Sequence, residues 1–415
     1  MNTLLTHPGT QYAPRLAAAL HKQGVLQCFA TGIALPDTPT AWWWQLAKML
    51  GREKLLLKRV VPGLPKGKLH LQPIKEALAL YRHQQLKQGN DEVFYPRNRD
   101  FQRQLPQRLI ENADVIIGFD TSSWIIAERC RKAGKPFVLD ASIAHPLAKE
   151  KVFAQLRESY PEWAAELAPK TPRNIEVELQ EIELADHIAV ASAFTKKTYT
   201  DNGVAPEKIT VIPYGTDLNR QIPNSKGGQT CGLEFGISEI TFLFFGSLSA
   251  RKGFPWLCEV WKDFHQQNPG CRLLAAGYDN RPPGFKVPEG IEVLGAIHPN
   301  DRMALFASAD VFLFPSYFEG FAQVILEAMV CGLPVITTTA TAGPDLLGNS
   351  NGGIIIEPGN HAALMQAMCR FAEHPGTIPS MAEAAVNAAI PFTWEAYGAR
   401  WVRVLRGVVD GVSFP

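Results

Sequence analysis

The fold of this chain is indicated most clearly by residues 311–330, which read VFLFPSYFEGFAQVILEAMV. An apolar run typical of a buried strand ends at Pro315, a loop follows, and a helical pattern begins shortly after Gly320. The first-turn amides of such a helix lack partners within the helix and attract anions. Glu319 and Glu327 add carboxylates that accept hydrogen bonds from hydroxyl groups. The segment therefore predicts a nucleotide-sugar site, although two carboxylates near a helix N-terminus could equally serve only to stabilise the helix.

The rest of the chain repeats this alternation of short apolar runs with longer stretches of helical periodicity. Such alternation is typical of parallel strands joined by helices. One series of runs extends from Asn2 to Ile212, a second begins near Ile240, and a Gly- and Pro-containing stretch lies between them. We therefore predict an α/β protein with two doubly wound, Rossmann-like domains that face each other across a cleft.

The domain boundaries follow from the same pattern. We predict an N-terminal domain at residues 1–215, a linker at 216–236, a C-terminal domain at 237–390 and an amphipathic helix within 391–415. Thr393 is the candidate N-cap of this last helix, which could pack back on the N-terminal domain. Ligands of such sheets bind at the carboxyl ends of the strands, so the functional residues should lie in the loops that follow strands.

The composition is that of an ordinary globular protein of 415 residues, 46% hydrophobic and 20% charged. With 41 Lys and Arg against 40 Asp and Glu, the net charge of +1 argues against a nucleic-acid-binding protein. No apolar run is long enough to span a membrane, and no export signal is recognisable. The seven scattered cysteines fit neither a disulfide framework nor a zinc site, which predicts a cytoplasmic protein without a structural metal.

The spacing of Glu319 and Glu327, with seven residues between them, resembles the E-x7-E signature of retaining glycosyltransferases of family 4, which have the GT-B architecture. The resemblance implies that Glu319 contacts hydroxyls of the transferred sugar and that Glu327 contacts the ribose. It also implies that the amides of Gly320 and Phe321 face the sugar and the diphosphate.

Further segments resemble the family in the same order. Residues 245–253, FGSLSARKG, resemble a phosphate-binding segment of the donor domain, in which Arg251 and Lys252 would neutralise the leaving diphosphate. Ser247 stands where the family often has Arg, and Arg251 could compensate for it. The segment also contains a donor-binding candidate, and two more follow later strands; these candidates are Gly246, Gly277 and Ile297.

The first half of the chain resembles the family more loosely. Gly9 and Thr10 follow the first strand, where the family tends to have a Gly-Gly loop that touches the donor phosphate. His145 follows a predicted buried strand, where the family often places a histidine near the sugar. We therefore include Gly9 and Thr10 among the donor-binding candidates and His145 among the catalytic ones, although a lone histidine can also be purely structural.

The resemblance implies transfer of a sugar, most simply a hexose, from a nucleotide diphosphate sugar to a glycan, lipid-linked or small-molecule acceptor, with retention of configuration. No D-x-D pair is placed to hold a metal ion beneath a diphosphate, so we expect no metal and no cofactor other than the donor itself. Two alternatives stay open: an epimerase or hydrolase acting on nucleotide sugars with the same fold, and a non-catalytic protein that binds them.

Residues 42–70 are the most strongly biased stretch of the chain. They begin with three consecutive tryptophans, Trp42 to Trp44, and contain seven Lys and Arg but a single acidic residue, Glu53. Aromatic rings favour the headgroup level of a bilayer and basic side chains favour an anionic leaflet. This stretch predicts peripheral association with the inner face of a membrane, whereas the alternative is a solvated helix whose tryptophans pack inward.

Overall fold

The structure is a computed structural model that describes residues 1–36, 49, 59–61, 63–85, 90–217 and 240–412. Its N-terminal part contains a seven-stranded parallel sheet with the strand order β5-β2-β1-β6-β7-β8-β9. Two short strands, β3 and β4, pair separately. The bounds are β1 Thr3–His7, β2 Leu26–Thr31, β3 Leu35–Pro36, β4 Val60–Val61, β5 Leu69–Leu71, β6 Val115–Phe119, β7 Phe137–Ala141, β8 His187–Val190 and β9 Ile209–Val211.

The C-terminal part contains a six-stranded parallel sheet with the order β12-β11-β10-β13-β14-β15. These bounds are β10 Thr241–Phe245, β11 Arg272–Ala276, β12 Ile291–Gly295, β13 Val311–Phe314, β14 Val335–Thr338 and β15 Gly353–Ile356. The two sheets confirm the predicted pair of Rossmann-like domains. The central strand β13 is fully buried because helices cover both faces of the sheet, which explains its uninterrupted apolar sequence.

Helices connect the strands of both sheets. In the N-terminal part they are α1 Ala13–Lys22, α2 Pro73–Gln85, α3 Asn90–Gln104, α4 Gln107–Glu111, α5 Trp124–Lys132, α6 Pro146–Ser159, α7 Pro172–Leu184 and α8 Ala193–Thr200. In the C-terminal part they are α9 Phe254–Gln267, α10 Arg302–Ala307, α11 Gln323–Val330, α12 Gly343–Leu347, α13 His361–Glu373, α14 Ile378–Ala389 and α15 Trp394–Asp410.

The predicted strands are present, but the four strands from β2 to β5 were not recognised in the sequence. Strands β3 and β4 have two residues each, β5 has three, and β2 carries Gln27 in a mostly apolar run, so none of them produces a clear pattern. Strands β2 and β5 lie on the side of the sheet beyond β1, where β2 pairs with β1 and β5 with β2.

The C-terminal helix α15 packs against α1 of the N-terminal domain. Thr393 caps it as predicted, because its Oγ1 accepts a hydrogen bond of 3.1 Å from the amide of Ala396. Tyr397 and Trp401, one turn apart, are buried on its inner face, and Gly398 allows close approach to Ala19. The last helix of the chain is thus packed on the N-terminal domain. Most of the predicted linker at 216–236 lies outside the described residues.

The two domains also meet directly beside the cleft. The backbone carbonyl oxygen of Gly320 accepts hydrogen bonds from the hydroxyls of Ser192 and Thr195, at 2.6 and 2.9 Å. The carboxylate of Asp345 accepts from the amide of Ala193, in the first turn of α8. These contacts bring the loop before α11 and the helix α12 against the N-terminal domain.

Candidate active site

A cavity of about 660 Å³ lies between the two domains. Its walls include the loop between β13 and α11, the loop after β10 and the start of α6. These segments all follow carboxyl ends of strands, which is where ligands of parallel sheets bind. Seven sequence-predicted site residues line it: Gly246, Arg251, Lys252, Glu319, Gly320, Phe321 and Glu327.

Glu319 is held by two cations and one hydroxyl. Its Oε1 atom accepts hydrogen bonds from Arg251 NH1 at 2.6 Å, Lys252 Nζ at 2.7 Å and Ser316 Oγ at 3.1 Å. All three bonds reach the same oxygen, and no hydrogen bond from a described residue reaches Oε2. The carboxylate is therefore fixed through one oxygen and keeps acceptor capacity on the other.

The charges around Glu319 alter the pKa values of Glu319 and Lys252. Burial by itself would raise the pKa of Glu319, but Arg251 and Lys252 outweigh burial and hold the pKa below its ordinary value. Burial is the largest influence on Lys252 and lowers the pKa of its ammonium, while Glu319 partly offsets this effect. The Lys252 Nζ atom also lies 4.8 Å from the centroid of the Phe314 ring. Glu319 is thus an ionised hydrogen-bond acceptor beside two cations.

Glu327 has a cationic partner of its own. Arg302, the first residue of α10, donates through NH1 to both carboxylate oxygens of Glu327, at 3.1 and 2.9 Å. The Arg302 guanidinium also lies over the ring of Phe245, 5.1 Å from its centroid. The sequence pattern did not single out Arg302, because no motif links the short helix α10 to Glu327.

The N-terminus of α11 opens into the cavity. Gly320 to Val324 line it, and no side chain caps the helix. The N-cap residue, Ala322, has φ of 67°, a left-handed conformation that is uncommon for a residue with a side chain. The uncapped first-turn amides and the helix dipole make this end suitable for an anion, as the sequence indicated.

Glycines permit close packing of the loops behind the cavity. A Cβ atom on Gly253 would lie 1.9 Å from the carbonyl oxygen of Pro315, and one on Gly277 would lie 1.7 Å from that of Gly246. Both glycines also have positive φ, of 75° and 139°. Gly277 therefore supports the loop of Gly246 and is not itself among the residues that line the cavity. Ser247, which stands where the family often has a cationic Arg, accepts a hydrogen bond of 2.8 Å through its Oγ from the side-chain amide of Asn280.

The structure does not bring every candidate to the cavity. Gly9, Thr10, Ile297 and His145 are absent from its described lining. Gly9 lies beside His7 and Arg97, since a Cβ atom on it would be 3.1 Å from His7 Nε2. Ile297 is partly buried and packs against the large apolar core. Their roles in donor binding remain predictions.

His145 acts as the N-cap of α6. Its Nδ1 accepts a hydrogen bond of 3.3 Å from the amide of Leu147, and its ring packs edge-on against Tyr199. The residue is only 2% exposed, and burial lowers its pKa to about 4. His145 therefore caps a helix and is not among the described residues that line the cavity, and its catalytic role stays a prediction. Lys149, one turn further along α6, lines the cavity instead.

The basic stretch at 42–70 is described only in part. Trp42 to Trp44 and most of its basic residues lie outside the described residues. The expectation that Arg59 contributes to a membrane surface is wrong, because its side chain is buried and donates to Glu76 at 2.6 Å. Arg97 binds the other oxygen of Glu76 at 2.5 Å. A guanidinium enclosed in this way cannot contact lipid headgroups.

Within the described part of the chain, no group of three or more His, Cys, Asp or Glu side chains is arranged to hold a metal ion. No helix of those residues combines the length and apolarity needed to cross a bilayer.

Two protein-family models match the chain. They are described as "Glycosyltransferase Family 4", at residues 73–220, and "Glycosyl transferases group 1", at residues 239–374. Among curated relatives, the D-inositol 3-phosphate glycosyltransferase of Segniliparus rotundus is 27% identical and matches 46% of this chain and 45% of its own length. That of Actinosynnema mirum is 26% identical over 66% of both chains. The chain thus matches about half to two thirds of the length of these relatives.

Solved structures with the same fold cover nearly the whole chain. Sucrose-phosphate synthase from Thermosynechococcus elongatus superposes with a TM-score of 0.63 at 18% identity, over 99% of this chain and all of the other. HepE from Anabaena, in complex with UDP and glucose, superposes with a TM-score of 0.61 at 16% identity, over 98% of this chain and all of the other. Two Rossmann-like domains around one cleft define the GT-B class. The chain belongs to the glycosyltransferases of family 4.

Proposed function

We propose that this protein transfers a sugar from a nucleotide diphosphate sugar to a hydroxyl group of an acceptor, with retention of configuration and without a metal ion or other cofactor. The observation that carries the proposal is the hydrogen bonding of the Glu319 carboxylate. Its Oε1 is fixed by Arg251, Lys252 and Ser316, while Oε2 accepts no hydrogen bond from a described residue. An ionised carboxylate with one available oxygen, next to two cations, suits a sugar hydroxyl beside a diphosphate.

The cations support departure of the diphosphate. In the transfer, the bond between the anomeric carbon and the phosphate oxygen breaks, and the acceptor oxygen bonds to that carbon. The acceptor proton passes to the departing phosphate, so that a nucleoside diphosphate leaves. Negative charge grows on the phosphate as the bond breaks, and Arg251, Lys252 and the first-turn amides of α11 are placed to stabilise it. Side-chain cations in this position replace the charge that a metal ion supplies elsewhere, which is our reason for proposing metal independence.

Glu327 completes the proposed donor site. Arg302 orients its carboxylate, and the ribose hydroxyls of the donor would donate to it. The relatives from Segniliparus rotundus and Actinosynnema mirum are named D-inositol 3-phosphate glycosyltransferases, and the structure of HepE is a complex with UDP and glucose. The HepE complex supports a nucleotide-sugar donor for this chain. For the acceptor we propose a glycan, a lipid-linked molecule or a small molecule, and the basic stretch at 42–70 favours the lipid-linked one.

The first experiment is a thermal-shift screen against uridine, guanosine and adenosine diphosphate sugars, because a ligand at 100 times its Kd adds about 2.7 kcal/mol to stability. The donor that raises Tm is then incubated with candidate acceptors, and products are separated. A glycosylated acceptor supports transfer. Free sugar formed without an acceptor, or an altered epimer, would indicate the hydrolase or epimerase alternative, and binding without turnover would indicate the binding protein.

Metal independence has its own test. The purified protein should keep its activity in EDTA. Lys252→Ala should lower kcat strongly while Tm changes little, because in this proposal the Lys252 ammonium stabilises the departing phosphate. Strict dependence on added Mg²⁺ or Mn²⁺ would overturn this part of the proposal.

A further inference from the structure

Lys149 brings a fourth cation into the cavity from the other domain. It lies in the first turn of α6, in the N-terminal domain, whereas Arg251, Lys252 and Arg302 belong to the C-terminal domain. No sequence motif pointed to Lys149, and the proposed mechanism does not use it.

Within the described part of the chain, the ammonium of Lys149 differs from the other cations of the cavity in having no carboxylate within hydrogen-bond distance. Arg251 and Lys252 bind Glu319, and Arg302 binds Glu327. Among the residues that the structure describes, none makes a hydrogen bond or a close ion pair with Lys149. Its recorded contact is with the ring of Phe153, whose centroid lies 4.9 Å from Nζ. An uncompensated ammonium at this depth is unfavourable unless a ligand supplies an anion.

The electrostatic surroundings agree with this geometry. The pKa of Lys149 is lowered to about 8, mainly by burial and also by the positive charges of Lys170 and Arg251, while Glu178 and Glu150 partly oppose the shift. These surroundings disfavour the charge on Lys149, and a bound anion would stabilise it.

The charge of the cavity fits a diphosphate. Its described lining contains four cationic side chains, Lys149, Arg251, Lys252 and Arg302, and two carboxylates, Glu319 and Glu327, which leaves two positive charges in excess. A diphosphate that joins a nucleoside to a sugar carries two negative charges. Lys149 is necessary for this balance, because without it the excess falls to one.

We propose that Lys149 binds the donor diphosphate from the N-terminal domain, at the phosphate that carries the sugar, so that the donor joins the two domains across the cleft. This inference rests on the proposed function and adds a binding residue to it. We assign Lys149 to the phosphate that carries the sugar for the following reason. Arg251 is near enough to Lys149 to act on it electrostatically, and Arg251 also binds Glu319, the carboxylate proposed to contact the sugar.

The test uses the full-length protein and measures binding by calorimetry for the uridine, guanosine and adenosine mono- and diphosphates. Lys149→Met should raise the Kd of the preferred nucleoside diphosphate by about tenfold or more, the usual effect of losing a hydrogen bond to a charged group. Binding of the matching monophosphate, which lacks the second phosphate, should not change. Lys149→Arg should restore most of the affinity, and Lys151→Met, an exposed position on the same helix, should behave as wild type.

The Tm of the empty protein provides a second measurement. Because Lys149→Met removes an uncompensated charge, its Tm without ligand should equal or exceed that of wild type, so weaker binding cannot be attributed to misfolding. If wild type binds the diphosphate and Lys149→Met binds it equally well, the inference is wrong and the proposed function stands. The inference is also wrong, and the proposed function stands, if Lys149→Met weakens only the binding of an anionic acceptor or of a donor whose sugar carries a carboxylate. If wild type binds no nucleotide, the proposed function fails.

Discussion

Gly320 lies so close to Ser142 that a Cβ atom on Gly320 would be 2.2 Å from the carbonyl oxygen of Ser142. The two residues belong to different domains, and both line the cavity. Gly320 is not in the left-handed region, so its conformation would suit any residue, and contact with Ser142 alone demands glycine.

We predict that Gly320→Ala separates the domains locally and lowers kcat/KM by about 100-fold, because displacement of the catalytic groups by about 1 Å has effects of that size. Steady-state kinetics with the identified donor measure the effect. Gly376→Ala is the matched control, since a Cβ atom there meets nothing within 4 Å. Wild-type kinetics for Gly320→Ala would show that this contact does not set the cleft geometry.

Glu319→Gln and Glu327→Ala should each lower kcat/KM by about 10- to 1000-fold while the protein remains folded, the range for losing one or two strong hydrogen bonds in the transition state. Circular dichroism checks the fold, and Glu292→Gln, at an exposed position of β12, is the control. If both site variants retain wild-type activity, the donor site lies elsewhere.

Arg302 is a positioning residue for Glu327, and its loss should act mainly on donor binding. We expect Arg302→Met to raise the KM for the donor by about tenfold with a smaller change in kcat, because a ribose contact is made equally in the ground and transition states. Arg302→Lys should restore part of the affinity, and Arg370→Met, at an exposed site on α13, should have no effect. A fall in kcat at unchanged KM would contradict this role.

His145→Asn distinguishes the structural position of His145 from the catalytic one. Asparagine is also a good N-cap, so the start of α6 should persist and kcat/KM should stay within about threefold of wild type. A loss of 100-fold or more, the effect typical of removing a general acid or base, would instead support the catalytic role suggested by sequence.

The same substitution should change how stability depends on pH. The pKa of His145 is about 4 in the folded protein and 6.5 ordinarily, so as pH falls from 6.5 to 4 the unfolded chain takes up a proton that the folded chain does not. The contribution of His145 is therefore present above pH 6.5 and lost towards pH 4. We expect the free energy of unfolding of wild type, relative to His145→Asn, to decrease across this window in urea titrations. A difference independent of pH would contradict the lowered pKa.

Membrane association through residues 42–70 can be tested by sedimentation with liposomes. Binding should occur with anionic and not with neutral vesicles, should weaken as salt rises, and should decrease when Lys54 and Lys58 become Ser, because each basic residue near an anionic surface contributes about 1 kcal/mol. Arg131→Ser with Lys132→Ser, two exposed positions on α5, is the control. Absence of co-sedimentation at low salt would point to a soluble acceptor.

The sequence by itself determined the two-domain α/β fold and the central part of the site. Alternating strands and helices are legible because burial of a parallel sheet requires continuous apolar runs. Glu319, Gly320 and Glu327 belong to one strand-loop-helix unit, so their placement at the carboxyl end of β13 follows from local structure. Arg251 and Lys252, also singled out from the sequence, line the same cavity, since they follow the adjacent strand β10.

Only the tertiary structure decided which other residues reach the cavity. Arg302 and Lys149 come from helices with no recognisable motif. Arg302 reaches Glu327 from another segment of the chain, and Lys149 enters the cavity from the N-terminal domain. Nothing in the sequence indicated that His145 caps a helix or that Arg59 pairs with a buried carboxylate. The physical reason is that a side chain's direction and burial depend on how helices pack across sheets and domains. Local periodicity does not encode that packing.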